Sequence, residues 1–268
     1  AFRNEIVARQ FIFRMREFEQ MEMQFFVKPG EEMKYYDYWK EARLKWHKAL
    51  GTPDENLRFH DHDNLAHYAN AAVDIEFKFP FGFRELEGIH SRTDFDLKSH
   101  QELSGKKLQY FDPAVNENYV PYVVETSLGC DRMFLAQLGQ SLQEETVPDG
   151  KGNDSTRTVM KLHPAIAPVK AAVLPLVKNK PELVKAATDV FDKLKAHVIC
   201  QYDEKDAIGR RYRRQDAIGT PYSVTIDFDT LENNTVTVRD RDTLEQTRVA
   251  IDELGTLISN KTNINNIL

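Results

Sequence analysis

Between Val73 and Phe79 apolar and charged side chains alternate strictly: Val73, Ile75, Phe77 and Phe79 are apolar, and Asp74, Glu76 and Lys78 are charged. A period of two puts the two sets on opposite faces of an extended chain, so the segment predicts a half-buried strand. Just upstream, "EEMKYYDYWKEARLKWHKALG" predicts a helix stopped by Gly51 and Pro53. Further on, Leu183, Ala187, Val190 and Leu194 share one helical face in "PELVKAATDVFDKLKAH", which leads into the apolar run "VIC" and predicts helix then strand. In "YSVTIDFDTLENNTVTVRDRD", Tyr222, Val224, Ile226 and Phe228 alternate with polar residues, the chain turns at "LENN", and Val236 and Val238 resume the pattern of a hairpin. The segment Ser141 to Thr158, rich in Gly, Pro, Asp, Ser and Thr, predicts a boundary near Ser155, giving units 1–155 and 156–268.

A second alternation, "REFEQMEMQFF" from Arg16 to Phe26, is less decisive. Read from Phe11 at period two, it puts Phe11, Phe13, Met15, Met21, Met23 and Phe25 on one face. The other face carries Arg14, Arg16, Phe18, Gln20, Glu22 and Gln24, chemistry suited to a ligand surface. Phe11, Met15, Phe18, Met21 and Phe25 also fit a helical stripe, so periodicity leaves strand and helix open.

The bulk numbers exclude several classes. At 268 residues, 41% hydrophobic and 29% charged, the chain can bury a core and is long enough for two domains. It has no run of eighteen apolar residues, and "AFRNEIVARQ" lacks the zones of a signal peptide, so no membrane is expected. Cys130 and Cys200 stand far apart without CxxC spacing, which fits a reducing cytoplasm and gives no reason to expect zinc. His60, His62 and His67 in "HDHDNLAH" offer metal ligands or ordinary structural histidines. A net charge of −6 argues against indiscriminate nucleic-acid binding and leaves room for a local basic patch. "GRRYRRQ" and "TVTVRDRD" supply one, with Arg239 and Arg241 on one strand face. It reads as an RNA surface or as a solvated loop, with Asp240 and Asp242 able to pair with the arginines.

At the N-terminus, "FRNEI", the loop-like "VARQ" and "FIFRMREFEQMEMQFF" make a strand, loop and strand pattern with Arg3 and Glu5 on one face. This resembles motif 2 of class II aminoacyl-tRNA synthetases, in particular the glycyl-tRNA synthetases, and it favours the strand reading of the second alternation. "FPFGFRELEGIHSRTDFDLKSH" agrees, "YVPYVVETSLGCDRMFLAQL" resembles motif 3 through "GCDR", and "IGRRYRRQDAIGTPYSVTIDFDTLENNTVTVRDRDTLEQ" resembles the anticodon-binding domain of the glycine branch. Four segments in order span nearly the whole chain.

The resemblance implies an α/β (α+β) fold: an antiparallel-sheet class II catalytic core, then an α/β anticodon-binding domain with a mixed sheet. It implies a glycine–tRNA ligase that makes glycyl-adenylate from glycine and ATP and passes glycine to tRNA-Gly. Attack of a carboxylate on an α-phosphate joins two anions, which positioned cations favour. Arg3 would hold both anions in line, with Arg132 as the second catalytic arginine. Phe18 and Arg132 would hold the adenine between them, Glu5 would read its edge, and Arg14 would meet the outer phosphates. Glu22, Glu125 and Ser127 would surround the glycine ammonium, with Arg92 near its carboxylate. Magnesium would enter with ATP on Glu85 and Glu125. Glu85 and Glu87, read on one strand face, could equally be solvated charges. Arg210, Arg211, Tyr212, Arg239 and Arg241 would meet the anticodon.

The family pattern also carries an N-terminal portion with motif 1, which builds a homodimer interface and part of the catalytic sheet. On that pattern the 268 residues alone would have little or no aminoacylation activity. Two readings stand beside this one: a non-catalytic synthetase-like tRNA-binding accessory protein, and another class II synthetase. The intact Arg3, Glu5, Phe18, Glu125, Ser127 and Arg132 argue against the first, and "ETSLGCDR" with "RELEGI" against the second.

Overall fold

The computed structural model describes residues 1–148 and 154–267 and divides into two units, Ala1–Gly139 and Gln140–Leu268. The first unit is built on the strands β1 (Gln20–Val27), β2 (Leu57–Asp61), β3 (Ala71–Phe79) and β4 (Gly82–Thr93). A short pair, β5 (Tyr110–Asp112) and β6 (Glu117–Tyr119), precedes β7 (Tyr122–Gly129). Its helices are α1 (Glu32–Ala49), α2 (Phe95–Ser104) and α3 (Cys130–Ser141). The main sheet runs β1-β7-β4-β3-β2, antiparallel at every pairing. Val73, Ile75, Phe77 and Phe79 are buried, so the alternation of β3 turns its apolar half inward as predicted. On β1, Phe25 packs its ring 5.0 Å from Tyr35 and 5.6 Å from Trp39 of α1, which covers this face of the sheet.

The strand reading of the second alternation holds from Gln20 and fails before it. Phe11–Phe13 is a single 3-10 turn entered with Gln10 and Phe11 at positive φ. Phe2 to Ile6 forms no strand: the bridge Phe2 to Glu17 stands alone, backed by the Arg3 amide donating to the Arg16 carbonyl at 2.9 Å. The reversal at Gln10–Phe11 brings the two arms together too briefly for a regular ladder.

The second unit has β8 (Leu142–Pro148) and β9 (Asp154–Met160), then β10 (Ala171–Pro175), β11 (Cys200–Tyr202), β12 (Tyr222–Ile226), β13 (Thr235–Asp240) and β14 (Gln246–Ala250). Its helices are α4 (Pro181–Leu194), α5 (Ile208–Ile218), α6 (Phe228–Asn233) and α7 (Ile251–Lys261). The sheet order is β11-β10-β12-β13-β14, with the first three strands parallel and the last two antiparallel, a mixed sheet. Leu183, Ala187, Val190 and Leu194 are the buried residues of α4, as the helical spacing predicts, and they pack with Val224, Ile226, Leu254 and Ile258.

Two sequence readings are corrected here. Ser155 does not mark a boundary: it lies in β9, which pairs antiparallel with β8, so both strands of this polar segment belong to the second unit. Residues 149–153 of that segment lie outside the described residues. The predicted hairpin of "YSVTIDFDTLENNTVTVRD" is antiparallel as expected, but Phe228 belongs to no strand. Asp227 caps the Thr230 amide in a reciprocal capping box, which starts α6 and turns the connection into a helix. Among the described residues no helix is long and apolar enough to cross a membrane.

Candidate functional site

The antiparallel register of three strands assembles the site. Glu22 of β1 lies opposite Ser127 of β7, which lies opposite Gly88 of β4 and, through it, Asp74 of β3. In the next row Gln24 faces Glu125, and Glu125 faces His90. Side chains two apart on a strand share a face, so both rows point the same way, away from α1. Glu22, Ser127, Gly88, Glu125 and His90 of these rows line a cavity of about 320 Å³ with Arg3, Phe13, Arg14, Phe18, Glu85, Arg92 and Arg132.

At one end the groups are anionic and closely linked. Ser127 Oγ donates to Glu22 Oε1 at 3.3 Å and accepts from Gln20 Nε2 at 3.3 Å. Gln24 Nε2 donates to Glu125 Oε2 at 2.5 Å, and Arg92 Nη1 reaches both oxygens of Glu125 at 3.1 and 3.2 Å. Burial pushes the Glu125 carboxyl up, but the neighbouring His90 ring, the Gln24 amide and the Arg92 guanidinium outweigh it and hold it at about 2. Arg92 is itself held by Asp96 at 2.9 Å and stacks 4.2 Å from the Tyr68 ring centroid. Its hydrogen bonds are committed to fixing Glu125, the role in which the structure presents it.

The other end carries cations beside aromatic rings. The Arg3 guanidinium lies 5.1 Å from the Phe18 centroid, and that of Arg132 lies 4.2 Å from Phe13. Arg132 Nη1 also donates to the Glu85 carbonyl at 2.8 Å and pairs with its carboxylate at 3.3 Å. Arg14 pairs with Glu5 at 3.3 Å. Such a cavity suits a small ammonium at one end and an anionic group with a planar ring at the other.

Every catalytic, nucleotide and glycine residue expected from the sequence therefore lines this one cavity. Sequence reasoning missed Phe13, assigned to the core face, and Gly88, His90 and Tyr68. His90 and Gly88 stand at even spacing from Arg92 in "GIHSR", a signal that was available once β4 was taken as a strand. Gly88 leaves room for the His90 ring: a Cβ there would lie 2.8 Å from His90 Cε1, and the ring would have to shift. Glu85 and Glu87 do not share a face. A bulge between Ile75 and Glu76 in the pairing of β3 with β4 turns Glu85 into the cavity and leaves Glu87 fully buried against Arg43 and His47. Gln24 and Arg92 each contact the Glu125 carboxylate, and Glu85 pairs with Arg132 while its carboxylate stays half-exposed. Among the described residues no group of three or more His, Cys, Asp or Glu side chains is arranged to hold a metal ion, and His62 instead pairs with Asp74 at 2.9 Å.

The expected anticodon surface is mostly interior. "GRRYRRQ" is part of α5, not a loop. Arg211 is buried and donates to the carbonyls of Pro175, Lys205 and Asp206. Tyr212 bonds Thr225 at 2.6 Å. Arg239 makes two bonds to the buried Asp216, at 2.8 and 3.0 Å. Arg241 caps the carbonyls of Met160, Leu162 and Gly219. Asp216 also binds Arg157 at 3.0 Å, so two buried guanidiniums share one carboxylate that sequence reasoning passed over, and Arg157 pairs with Glu145 as well. Charge clustering was legible, but burial was not. What remains outside is one side of α5, where Arg210, Arg213 and Arg214 line a 440 Å³ concavity with Thr156 and Thr158 of β9.

Glu125 yields a pH prediction. Its folded pKa of about 2 lies below the roughly 4.3 of a free glutamate, so it stabilises the fold above that pH and the contribution fades as pH falls toward 2. Denaturant unfolding of wild type and Glu125→Gln will show stability curves that converge over this range; curves that stay parallel would contradict the assignment.

Residues 170–261 match the family model for the anticodon binding domain. Over 97% of its length the chain is 54% identical to a glycine–tRNA ligase of Staphylococcus haemolyticus and 54% identical to one of Chlorobaculum tepidum, covering 56% and 54% of those proteins. A glycine–tRNA ligase of Macrococcus caseolyticus is 55% identical, again over 97% of the chain and 55% of the relative. The chain thus spans about half the length of the curated relatives it matches.

Proposed function

From the premise that this chain belongs to the glycine–tRNA ligase family, we propose that its first unit activates glycine with ATP and its second unit binds tRNA-Gly for the transfer that follows. One observation carries the reading: Glu22, Ser127 and Glu125 stand together on one face of the sheet and line a single cavity with Arg3, Arg14 and Arg132 and the rings of Phe13 and Phe18. The acidic end takes the ammonium of glycine, each charge-assisted hydrogen bond contributing about 1.5–3 kcal/mol. Arg92 keeps Glu125 ionised and aimed.

With the ammonium held, a glycine carboxylate oxygen faces the α-phosphorus. A carbon–oxygen–phosphorus link forms, the bond from the α-phosphorus to its bridging oxygen breaks, and pyrophosphate leaves with that electron pair. Arg3 offsets the repulsion between carboxylate and phosphate, Arg14 takes charge on the leaving side, and Arg132 meets the adenine. Magnesium bound with ATP would screen the phosphates, with Glu85 as the protein oxygen donor available to it. The adenine rests against Phe18, and Glu5 meets its edge. Glycine is selected because the cavity is filled on this side by His90 and Tyr68, and a larger amino acid would have to displace them. We extend the proposal to a homodimer of the full-length protein and to the cytoplasm.

The test is ATP–pyrophosphate exchange with glycine, alanine and serine, on the chain within its full-length protein and on the 268 residues alone. Exchange with glycine only is the expected result for the full-length protein. No exchange with any amino acid would sink the reading and favour an RNA-binding accessory protein.

RNA contact in the second unit falls to Arg210 and Arg213, the exposed side of α5, in place of the interior arginines. Arg210→Ala and Arg213→Ala will each weaken tRNA binding and lower the slope of log affinity against log salt by about 0.7–0.9. Unchanged slopes in a filter-binding titration would contradict it.

A further inference from the structure

The ion cluster behind β4 has no part in the chemistry above, yet it sits at a bulge in the strand that carries the site. Glu87 is fully buried. Arg43 Nε donates to its Oε1 at 2.5 Å, and His47 Nε2, on a ring with no exposed surface, lies 2.7 Å from its Oε2. Both partners come from α1, one helical turn apart. Burial raises the Glu87 carboxyl, but the two partners reverse the sign and hold it below its usual range, so it stays ionised at neutral pH.

A buried charged cluster is a costly way to hold a strand to a helix, since apolar residues of similar volume often do as well or better. What it adds is position. Glu87 lies opposite Ile75, and the next pair of the ladder is Glu76 with Glu85, so Leu86 is the extra residue of the bulge and Glu87 is its first anchored neighbour. Without the bulge, Glu85 and Glu87 would share a face. With Glu87 drawn to α1, Glu85 turns to the cavity and offers both its carbonyl and its carboxylate to Arg132. The pairing of β4 with β7 begins only at Glu87, so no ladder partner on that side holds Glu85 in place.

We infer that Glu87, with Arg43 and His47, is a positioning residue for the nucleotide: the buried cluster locks the β4 bulge that aims Glu85 and Arg132 at ATP. This inference rests on the proposed nucleotide end of the cavity and adds to it a control that lies behind the sheet and touches no substrate. Glycine is held from β1 and β7 by Glu22, Ser127 and Glu125, so the cluster acts on one substrate of the two.

The experiment compares Glu87→Gln with wild type in the full-length protein, reading KM for ATP and for glycine in pyrophosphate exchange. ATP affinity is measured in parallel by calorimetry without glycine. The ATP constants will weaken on the order of tenfold or more, toward the hundredfold that a misplacement of about 1 Å can cost. KM for glycine will stay within about twofold, since Glu22, Ser127 and Glu125, which meet its ammonium, lie on other strands. A lower active fraction with both KM values unchanged, or equal changes in both, would overturn the inference and leave the cluster a stabilising contact. Should Glu87→Gln fail to fold, Arg43→Gln removes the partly exposed member and carries the same expectation, and Arg43→Lys restores part of the ATP affinity. If wild type shows no exchange with glycine, the functional reading fails on that control, and calorimetric ATP affinities of wild type and variants still decide whether the cluster acts.

Discussion

The antiparallel register of β1, β7 and β4 is the constraint on which the candidate site depends. Glu22 meets Ser127, and Gln24 meets Glu125, because the pairing runs without a break from Gln20 to Val27. A slip of one residue would turn Glu22 and Gln24 toward α1 and bring Met21, Met23 and Phe25 to the cavity. The Phe25 packing against Tyr35 and Trp39 penalises that slip, so the apolar face of β1 fixes the position of its polar face. The core and the site are two sides of one alternation.

Electrostatics then separates the groups that hold structure from the groups left for a ligand. In the first unit Glu87 is consumed by Arg43 and His47, while Glu22 keeps a single hydroxyl contact. In the second unit Asp216 consumes Arg157 and Arg239, and backbone carbonyls consume Arg211 and Arg241. Guanidiniums suit such interior work because their planar forks satisfy several acceptors at once. A basic sequence cluster therefore overstates the basic surface, and the Arg210 side of α5 is the part of this cluster left for an anionic partner.

The parts of this architecture legible in the sequence are those set by local period. The stripe of α4 and the alternation of β3 turned inward as read, because in both a single buried face dictates the pattern. The parts that were not legible depend on partners distant in sequence. Burial of Arg239 requires Asp216, 23 residues earlier, and that of Arg241 requires carbonyls of Met160 and Leu162. The opposite facing of Glu85 and Glu87 depends on one extra residue in β4, which no period of two can express. The resemblance of ordered motifs named the cavity residues, and the geometry added Phe13, Gly88, His90 and Tyr68, whose contribution is shape. The resemblance places Arg92 near a glycine carboxylate, and the geometry adds its bonds to Glu125 and Asp96.

The central claim is that one face of the first sheet receives an activated glycine, ammonium end at β1 and β7 and nucleotide end at Arg3 and Arg132. The most direct test is a crystal structure of the full-length protein with a non-hydrolysable glycyl-adenylate analogue. The account predicts the analogue's ammonium within hydrogen-bond distance of Glu22, Glu125 and Ser127, and its adenine against Phe18. An analogue bound in the reverse sense, or one that leaves Glu22 and Ser127 without contact, would contradict it.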